Sequence, residues 1–193
     1  MDGHDRIPPV TNARARALTP ALLLAAALLA APSTARAQSA QESARWQLSG
    51  GYAFMAESDV TDKETFPRGW NVSGAVRLTS WLSIAADADG QYKTIPTLGG
   101  DIQLTSHALT GGLRASARLG KLTEFGQVLA GVVQSTGTAF GSSDTTRYRA
   151  IQPGLGLDYP CGPRWAIRGE LDVRFLSTGQ EIRVVAGIVR AFP

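Results

Sequence analysis

The sequence predicts an all-β protein: an eight-stranded antiparallel up-and-down transmembrane β-barrel behind a short export signal. Three observations carry that prediction. Apolar residues recur at every second position through much of residues 38–193, and no stretch there holds the 3.6-residue period of an amphipathic helix. The links between these runs alternate between long polar stretches and tight turns. The one long apolar run, residues 21–31, is too short to cross a bilayer as a helix.

That run opens the chain's organisation. Residues 1–16 are mostly polar and carry Arg6, Arg14 and Arg16, and eleven residues of Ala and Leu only follow at 21–31. Eleven residues rise about 16 Å as a helix, half the hydrocarbon thickness, which disfavours a membrane anchor. Ala35-Arg36-Ala37 then supplies small residues at −3 and −1. The three parts are those of a secretory signal peptide, so residues 1–37 are expected to be removed after Ala37, leaving the barrel domain as 38–193. No Cys closely follows the apolar run, which argues against a lipoprotein.

Composition excludes several classes. The 193 residues hold a single Cys, Cys161, so a disulfide scaffold is ruled out. Without the signal the chain has 15 basic and 14 acidic residues, so the basic balance of the whole owes much to the signal. Charge therefore gives no support to nucleic-acid binding.

The strands follow in order. Trp46, Leu48, Gly50, Tyr52 and Phe54 share one face of a strand at 45–55. Trp70, Val72, Gly74, Val76 and Leu78 do the same at 69–79, and Leu82, Ile84, Ala86 and Ala88 at 81–92. Further strands are expected at 103–118, 122–136 and 147–159, the last interrupted by Pro153, which can donate no ladder bond. The clearest alternation is at 164–175: Trp165, Ile167, Gly169, Leu171, Val173 and Phe175 oppose Ala166, Arg168, Glu170, Asp172 and Arg174. The eighth strand covers 181–192. Residues 56–68, 93–102 and 137–146 read as long polar loops. Tight links fall near Thr79-Ser80, at 119–121 and at 160–163, and the last outer link, 177–180, is also short.

Strands of about ten residues with short turns at one end and long loops at the other match a bacterial outer-membrane barrel. A closed barrel satisfies every backbone polar group in lipid, and an even strand number returns both termini to the short-turn, periplasmic side. Alternation alone leaves open which face meets lipid, because a soluble barrel would turn the apolar face inward. Aromatic placement favours lipid outside. Trp46, Phe125, Tyr159, Trp165 and Phe192 fall near the short-turn ends, and Phe54, Trp70, Tyr92 and Phe175 near the other, as two girdles. Trp165 and Phe175 lie about 33 Å apart along a strand, which a tilt near 40° projects to about 25 Å, the height of the apolar band. Arg190 shares its face with Phe192 and is expected to snorkel at the interface, whereas Trp81 and Tyr148 have inward parity.

The inward parity supplies Arg77, Asp87, Asp89, Arg114, Arg118, Arg168, Glu170, Asp172, Arg174 and Arg183. These are the candidate lumen residues, expected to form a buried polar network because an unpaired buried ion costs several kcal/mol. A narrow conducting path through the same residues is the alternative.

Residues 154–192, GLGLDYPCGPRWAIRGELDVRFLSTGQEIRVVAGIVRAF, carry a resemblance. The Gly-rich strand ending Gly156-Leu157-Asp158, the turn into Trp165-Ala166-Ile167-Arg168 and the strand ending Leu171-Asp172-Val173-Arg174-Phe175 are similar to the small outer-membrane β-barrel family related to OmpA and OmpX. So is the closing Ala186-Gly187-Ile188-Val189-Arg190-Ala191-Phe192. The resemblance implies the fold and the location but no single activity. It also implies that the final aromatic, here Phe192 before Pro193, resembles the signal read by the barrel-assembly machinery.

Catalytic and metal readings find little to build on. The only His after the signal is His107, and the adjacent Ser106 points to the opposite strand face, leaving Thr105 as the nearest hydroxyl two residues away. His107 and Cys161 lie at opposite ends and cannot converge on a metal. Asn71-Val72-Ser73 fits a glycosylation sequon but lies within a strand. No catalytic, cofactor or metal site is expected, and Cys161 reads as a turn residue.

The expected protein is thus a non-enzymatic, monomeric outer-membrane barrel with a structural or surface-interaction role and a lumen plugged by salt bridges. Outer-membrane lipid and lipopolysaccharide are its expected surroundings, and the outer loops its expected recognition surface. A small pore for polar solutes and a soluble periplasmic carrier of an apolar ligand are the alternatives.

Overall fold

The computed structural model describes residues 44–58, 63–98 and 100–193. The expected signal peptide, its cleavage point and residues 59–62 of the first loop lie outside the described residues.

Among these residues the chain forms strands β1 (Trp46–Ser58), β2 (Lys63–Phe66), β3 (Arg68–Arg77), β4 (Leu82–Thr97), β5 (Gly100–Leu119), β6 (Leu122–Ala139), β7 (Ser142–Pro160), β8 (Trp165–Leu176) and β9 (Gln180–Phe192). β1 pairs with both β2 and β3, each strand from β3 onward pairs antiparallel with the next, and β1 pairs with β9 from Trp46↔Phe192 to Ser58↔Gln180. Eight strands therefore close a ring, and β2 pairs with β1 alone. The register gives the stagger. Leu48 pairs Gly74, and the row continues through Ala86, Gly111, Ala130, Ile151, Phe175 and Gln180. It returns to β1 at Ser58, ten residues beyond its start. Eight strands with that shear tilt by roughly 40°.

The second segment corrects the expected loop at 56–68. Tyr52 pairs Trp70 but Met55 pairs Phe66, so one extra residue is inserted between β2 and β3, at Pro67. This is a β-bulge, one of the few places where a strand tolerates a residue without an N–H. The other two expected loops are corrected further. β4 and β5 run to Thr97 and from Gly100, and β6 and β7 to Ala139 and from Ser142. Residues 93–102 and 137–146 are therefore almost entirely strand. Thr and Ser suit a pleated surface even when both faces are polar. Here they also bond across the ladder, Thr136 to Thr145 at 3.0 Å and Thr138 to Ser143 at 2.9 Å. The β6–β7 turn places Phe140 at φ 51° and Gly141 at φ 79°, the two left-handed residues of a type I′ hairpin.

The short turns fall where expected. Thr79 accepts the Leu82 amide on its Oγ1 at 3.0 Å, and Gly120 takes φ 61° between β5 and β6. Pro153 stays within β7, opposite Val128 of β6, while the β7–β8 ladder breaks at residues 152 and 153. Two strands approach closely at the closing seam: a Cβ on Gly51 would lie 2.3 Å from the Ala186 carbonyl oxygen.

Leu48, Val72, Ile84, Leu109, Leu113, Val128, Val132, Ile151, Ile167, Val184 and Ile188 are exposed on the outside, while the inside holds Arg, Asp, Glu and Gln together with the buried Met55, Leu129, Val133 and Val189. This is inverse to a soluble barrel, whose apolar face is buried.

Candidate functional site

The lumen is built around Arg183 of β9. Its guanidinium donates to Asp172 at 2.8 Å, Asp87 at 3.0 Å, Asp89 at 2.9 Å and Glu170 at 3.4 Å. Asp87 and Asp89 alternate along β4, and Glu170 and Asp172 along β8, so strand periodicity delivers all four to one side of the wall. Arg174 extends the network. It donates to Glu181 at 3.0 Å and to Gln152 at 2.8 Å, and bonds Asp89 as well. Gln127 carries the network toward the short-turn end, its amide reaching Glu170 at 3.0 Å and Asp172 at 3.2 Å. Asn71 donates to the second oxygen of Asp87 at 2.8 Å.

A second layer lies nearer the short turns. Arg168 grips both oxygens of Asp158, at 2.7 and 2.8 Å, the bidentate geometry that the planar guanidinium fork favours. Arg114 donates to Gln127 through Nε at 2.9 Å and an Nη at 2.7 Å. Both guanidinium carbons face one aromatic ring: Phe125 has Arg114 at 4.4 Å and Arg168 at 4.5 Å from its centroid. The ring finds room because Gly156 lies beneath it, where a Cβ would meet Phe125 Cζ at 2.3 Å.

Of the candidate lumen residues, Asp87, Asp89, Arg114, Arg168, Glu170, Asp172, Arg174 and Arg183 point inward and are buried. Arg77 and Arg118 are only half-buried at the short-turn end, Arg118 donating to the Gly120 carbonyl at 3.1 Å. The sequence reading missed Asp158, Glu181, Gln127 and Gln152. The charge balance changes accordingly: the fully buried set holds four Arg and six carboxylates. Asp158 was legible in principle, since it shares parity with Gly154 and Gly156 and pairs Arg168. Phe125 is a correction as well. Its position near a strand end predicts a place in the short-turn girdle, but it is 4% exposed and fills the lumen. An aromatic at a strand end reads the same whichever face it takes, and here two cations hold it inside.

The exterior keeps the remaining aromatics. Arg190 lies over Trp165 and Phe192, 5.1 Å from each centroid, with its charge at the rim. At the opposite rim Trp70 donates to Tyr92 at 3.1 Å, and His107 stacks edge-on to Tyr92 at 5.7 Å. Ser106 points inward, away from His107, and both Asn71 and Ser73 of the sequon are buried. Trp81, expected inside, lies in the turn before β4 and is exposed, while Tyr148 is half-buried. Cys161 is a free, exposed turn residue.

Beyond that rim the wall continues on one side only. β8 stops at Leu176, opposite Ala150, so residues 142–149 of β7 have no partner on that side. β3 pairs β4 only as far as Tyr92, so residues 94–97 pair with no strand on theirs. Parts of β4, β5, β6 and β7 therefore stand above the ring as a four-stranded sheet with two open edges. The free stretch of β7 is about 26 Å long.

A closed antiparallel ring with an apolar exterior and a charged, hydrogen-bonded interior defines a membrane-spanning β-barrel. The chain belongs to the outer membrane protein β-barrel domain family, whose model matches residues 21–180. Solved structures share the fold. Ail, the attachment invasion locus protein of Yersinia pestis, is 17% identical with a TM-score of 0.62, covering 77% of this chain and 99% of its own. Neisserial surface protein A is 11% identical with a TM-score of 0.63 over 76% of this chain and 97% of its own. OprG of Pseudomonas aeruginosa is 12% identical with a TM-score of 0.54 over 76% and 95%. No curated protein matches the chain in sequence.

Proposed function

We propose that this protein is a non-enzymatic surface-recognition barrel of the bacterial outer membrane, monomeric, with its lumen plugged by the Arg183 network and its termini in the periplasm. The signal peptide at 1–37 supplies export, and the barrel-assembly machinery inserts the chain. The observation that carries the reading is the four-stranded sheet above the rim. Its outward residues, among them Thr94, Gln103, Thr138, Ser143 and Thr145, are polar, so it suits water rather than lipid. Its β7 edge, residues 142–149, offers unpaired backbone donors and acceptors to an extended segment of a partner, the mode of β-strand addition. Arg147 and Arg149 on that edge favour an acidic partner. A relative supports a polyanionic ligand class: Ail has been solved in complex with the heparin analogue sucrose octasulfate. The row His107, Gln134, Arg147 crosses the base of the sheet, level with lipopolysaccharide headgroups in this orientation.

The test is to replace residues 136–145 with a two-residue Asn-Gly turn and express both forms on cells. The shortened protein should keep its heat-modifiable folded band and lose cell adhesion to immobilised heparin and matrix proteins. Equal adhesion by both forms would sink the reading.

A second reading, a narrow pore, has one observation in its favour. Asp89 Oδ1, both polar atoms of the Gln91 amide, Ser106 Oγ and Thr110 Oγ1 are buried without a hydrogen-bond partner among the described residues. Buried polar atoms call for water, and a wet upper lumen is half of a channel. Planar-bilayer recordings decide: the plugged barrel stays silent, the pore conducts.

A further inference from the structure

The upper sheet ends in two tight turns, one at Leu98 between β4 and β5 and one at Phe140-Gly141 between β6 and β7. The two tips meet: a Cβ on Gly100 would lie 3.8 Å from the Phe140 ring. Each turn holds an apolar side chain in water, Leu98 fully exposed and Phe140 73% exposed. Phe140 is also the one non-glycine residue with positive φ among the described residues, at 51°. A left-handed backbone crowds Cβ against the following carbonyl oxygen, so this turn position favours Asn, Asp or Gly. The exposed ring gains no packing within the chain to offset that strain. Strain held without internal packing is the mark of a residue whose contact lies outside the chain. No charged residue falls in 94–100 or 136–143, and Asp101 and Asp144 follow directly.

We propose that Leu98 and Phe140 form an insertion tip for the surface of a facing zwitterionic lipid bilayer. The proposal rests on the outward orientation proposed for the upper sheet, and not on strand addition at the β7 edge. Area favours a bilayer over a protein: two side chains at turn tips fall far below the roughly 800 Å² that each partner covers in a stable protein interface. A bilayer surface needs only apolar groups at the acyl boundary with polar groups behind them. The exposed Thr97 and Ser142 stand in that place. With no basic residue at the tip and Asp101 and Asp144 beside it, an anionic surface is disfavoured. Reach agrees as well. Phe140 lies six residues beyond Gln134 of the headgroup row, about 20 Å along the strand and about 15 Å in height at a tilt near 40°. The tip therefore stands clear of its own leaflet and meets an opposing membrane.

The experiment mixes the folded barrel in lipid nanodiscs with phosphatidylcholine vesicles and floats them on a density gradient. The wild type should float with the vesicles, and high salt should leave that unchanged. Phe140→Asn should cut vesicle partition about tenfold or more, the loss expected for one inserted aromatic side chain. Its urea midpoint should equal or exceed that of the wild type, because Asn suits the left-handed turn. Leu98→Asn should weaken flotation likewise, whereas Cys161→Ser, at the opposite end, should not. Adhesion of cells to immobilised heparin, measured in parallel, is salt-sensitive and reports the polyanion reading by itself, so the two can fail separately. The proposal is overturned if wild-type discs do not float, if salt abolishes flotation, or if Phe140→Asn floats as well as the wild type. A lowered urea midpoint for Phe140→Asn overturns the strain argument that carries it. Loss of matrix-protein adhesion in Phe140→Asn, with no flotation of the wild type, overturns it too and assigns the tip to a protein partner.

Discussion

Arg183→Met is the most informative single change. The side chain makes six hydrogen bonds to four carboxylates. Its removal leaves Asp89 with Arg174 and leaves Glu170 with Arg168 at 4.0 Å. Asp87 keeps only the Asn71 amide and Asp172 only the Gln127 amide. Two carboxylates at 2% and 0% exposure thus lose their cations. Breaking a single buried pair costs about 3–5 kcal/mol. Relief by protonation and entering water keeps the expected loss near the lower figure. A loss of about 3 kcal/mol, against a total of roughly 5–15, lowers the folding constant on the order of a hundredfold. Urea titration of the folded band in lipid vesicles measures it. Adding Asp172→Asn should restore about 1 kcal/mol or more, because it removes one orphaned charge. A loss under about 1 kcal/mol, the range of surface pairs, would refute the reasoning: the lumen would then be solvated, and the pore reading would lead.

Three other changes probe separate features. Phe125→Ala empties the space between Arg114 and Arg168 and should cost about 3 kcal/mol in the same titration. Gly51→Val forces a side chain into the β1–β9 seam and should prevent the heat-modifiable band from forming, whereas Gly74→Val, whose Cβ would meet nothing closer than 3.9 Å, should leave the band in place. Thr136→Val with Thr145→Val removes one cross-strand bond of the upper sheet and should cost about 0.5 kcal/mol or less, with hydrogen exchange accelerating above the rim and not within the ring.

Much of this architecture was legible because strand periodicity is local. Along Trp165–Leu176 each residue declares its face, so Arg168, Glu170, Asp172 and Arg174 could be placed together from sequence. The stagger of ten residues was not legible, since register depends on pairing between segments far apart in the chain. Polar pairing hid the upper sheet too: Thr136, Thr138, Ser143 and Thr145 show no apolar alternation, and only the ladder bonds reveal them as strand. Asp158 and Glu181 escaped notice at strand ends, where parity is hardest to carry past a Pro or a turn. The lumen's lower layer depends on three-dimensional neighbours, Phe125 over Gly156 above all, that spacing in one strand cannot reveal.

The pairing of Trp46 with Phe192 has a consequence in time. The last ladder joins the earliest strand of the ring to the latest. The ring cannot close until the whole of β9 has been delivered, so β1 lacks its second neighbour in every earlier state of assembly. Through that interval its free edge and half-apolar face must be shielded from self-association. Closure is thus a terminal event, and any partial chain remains an open, adhesive sheet.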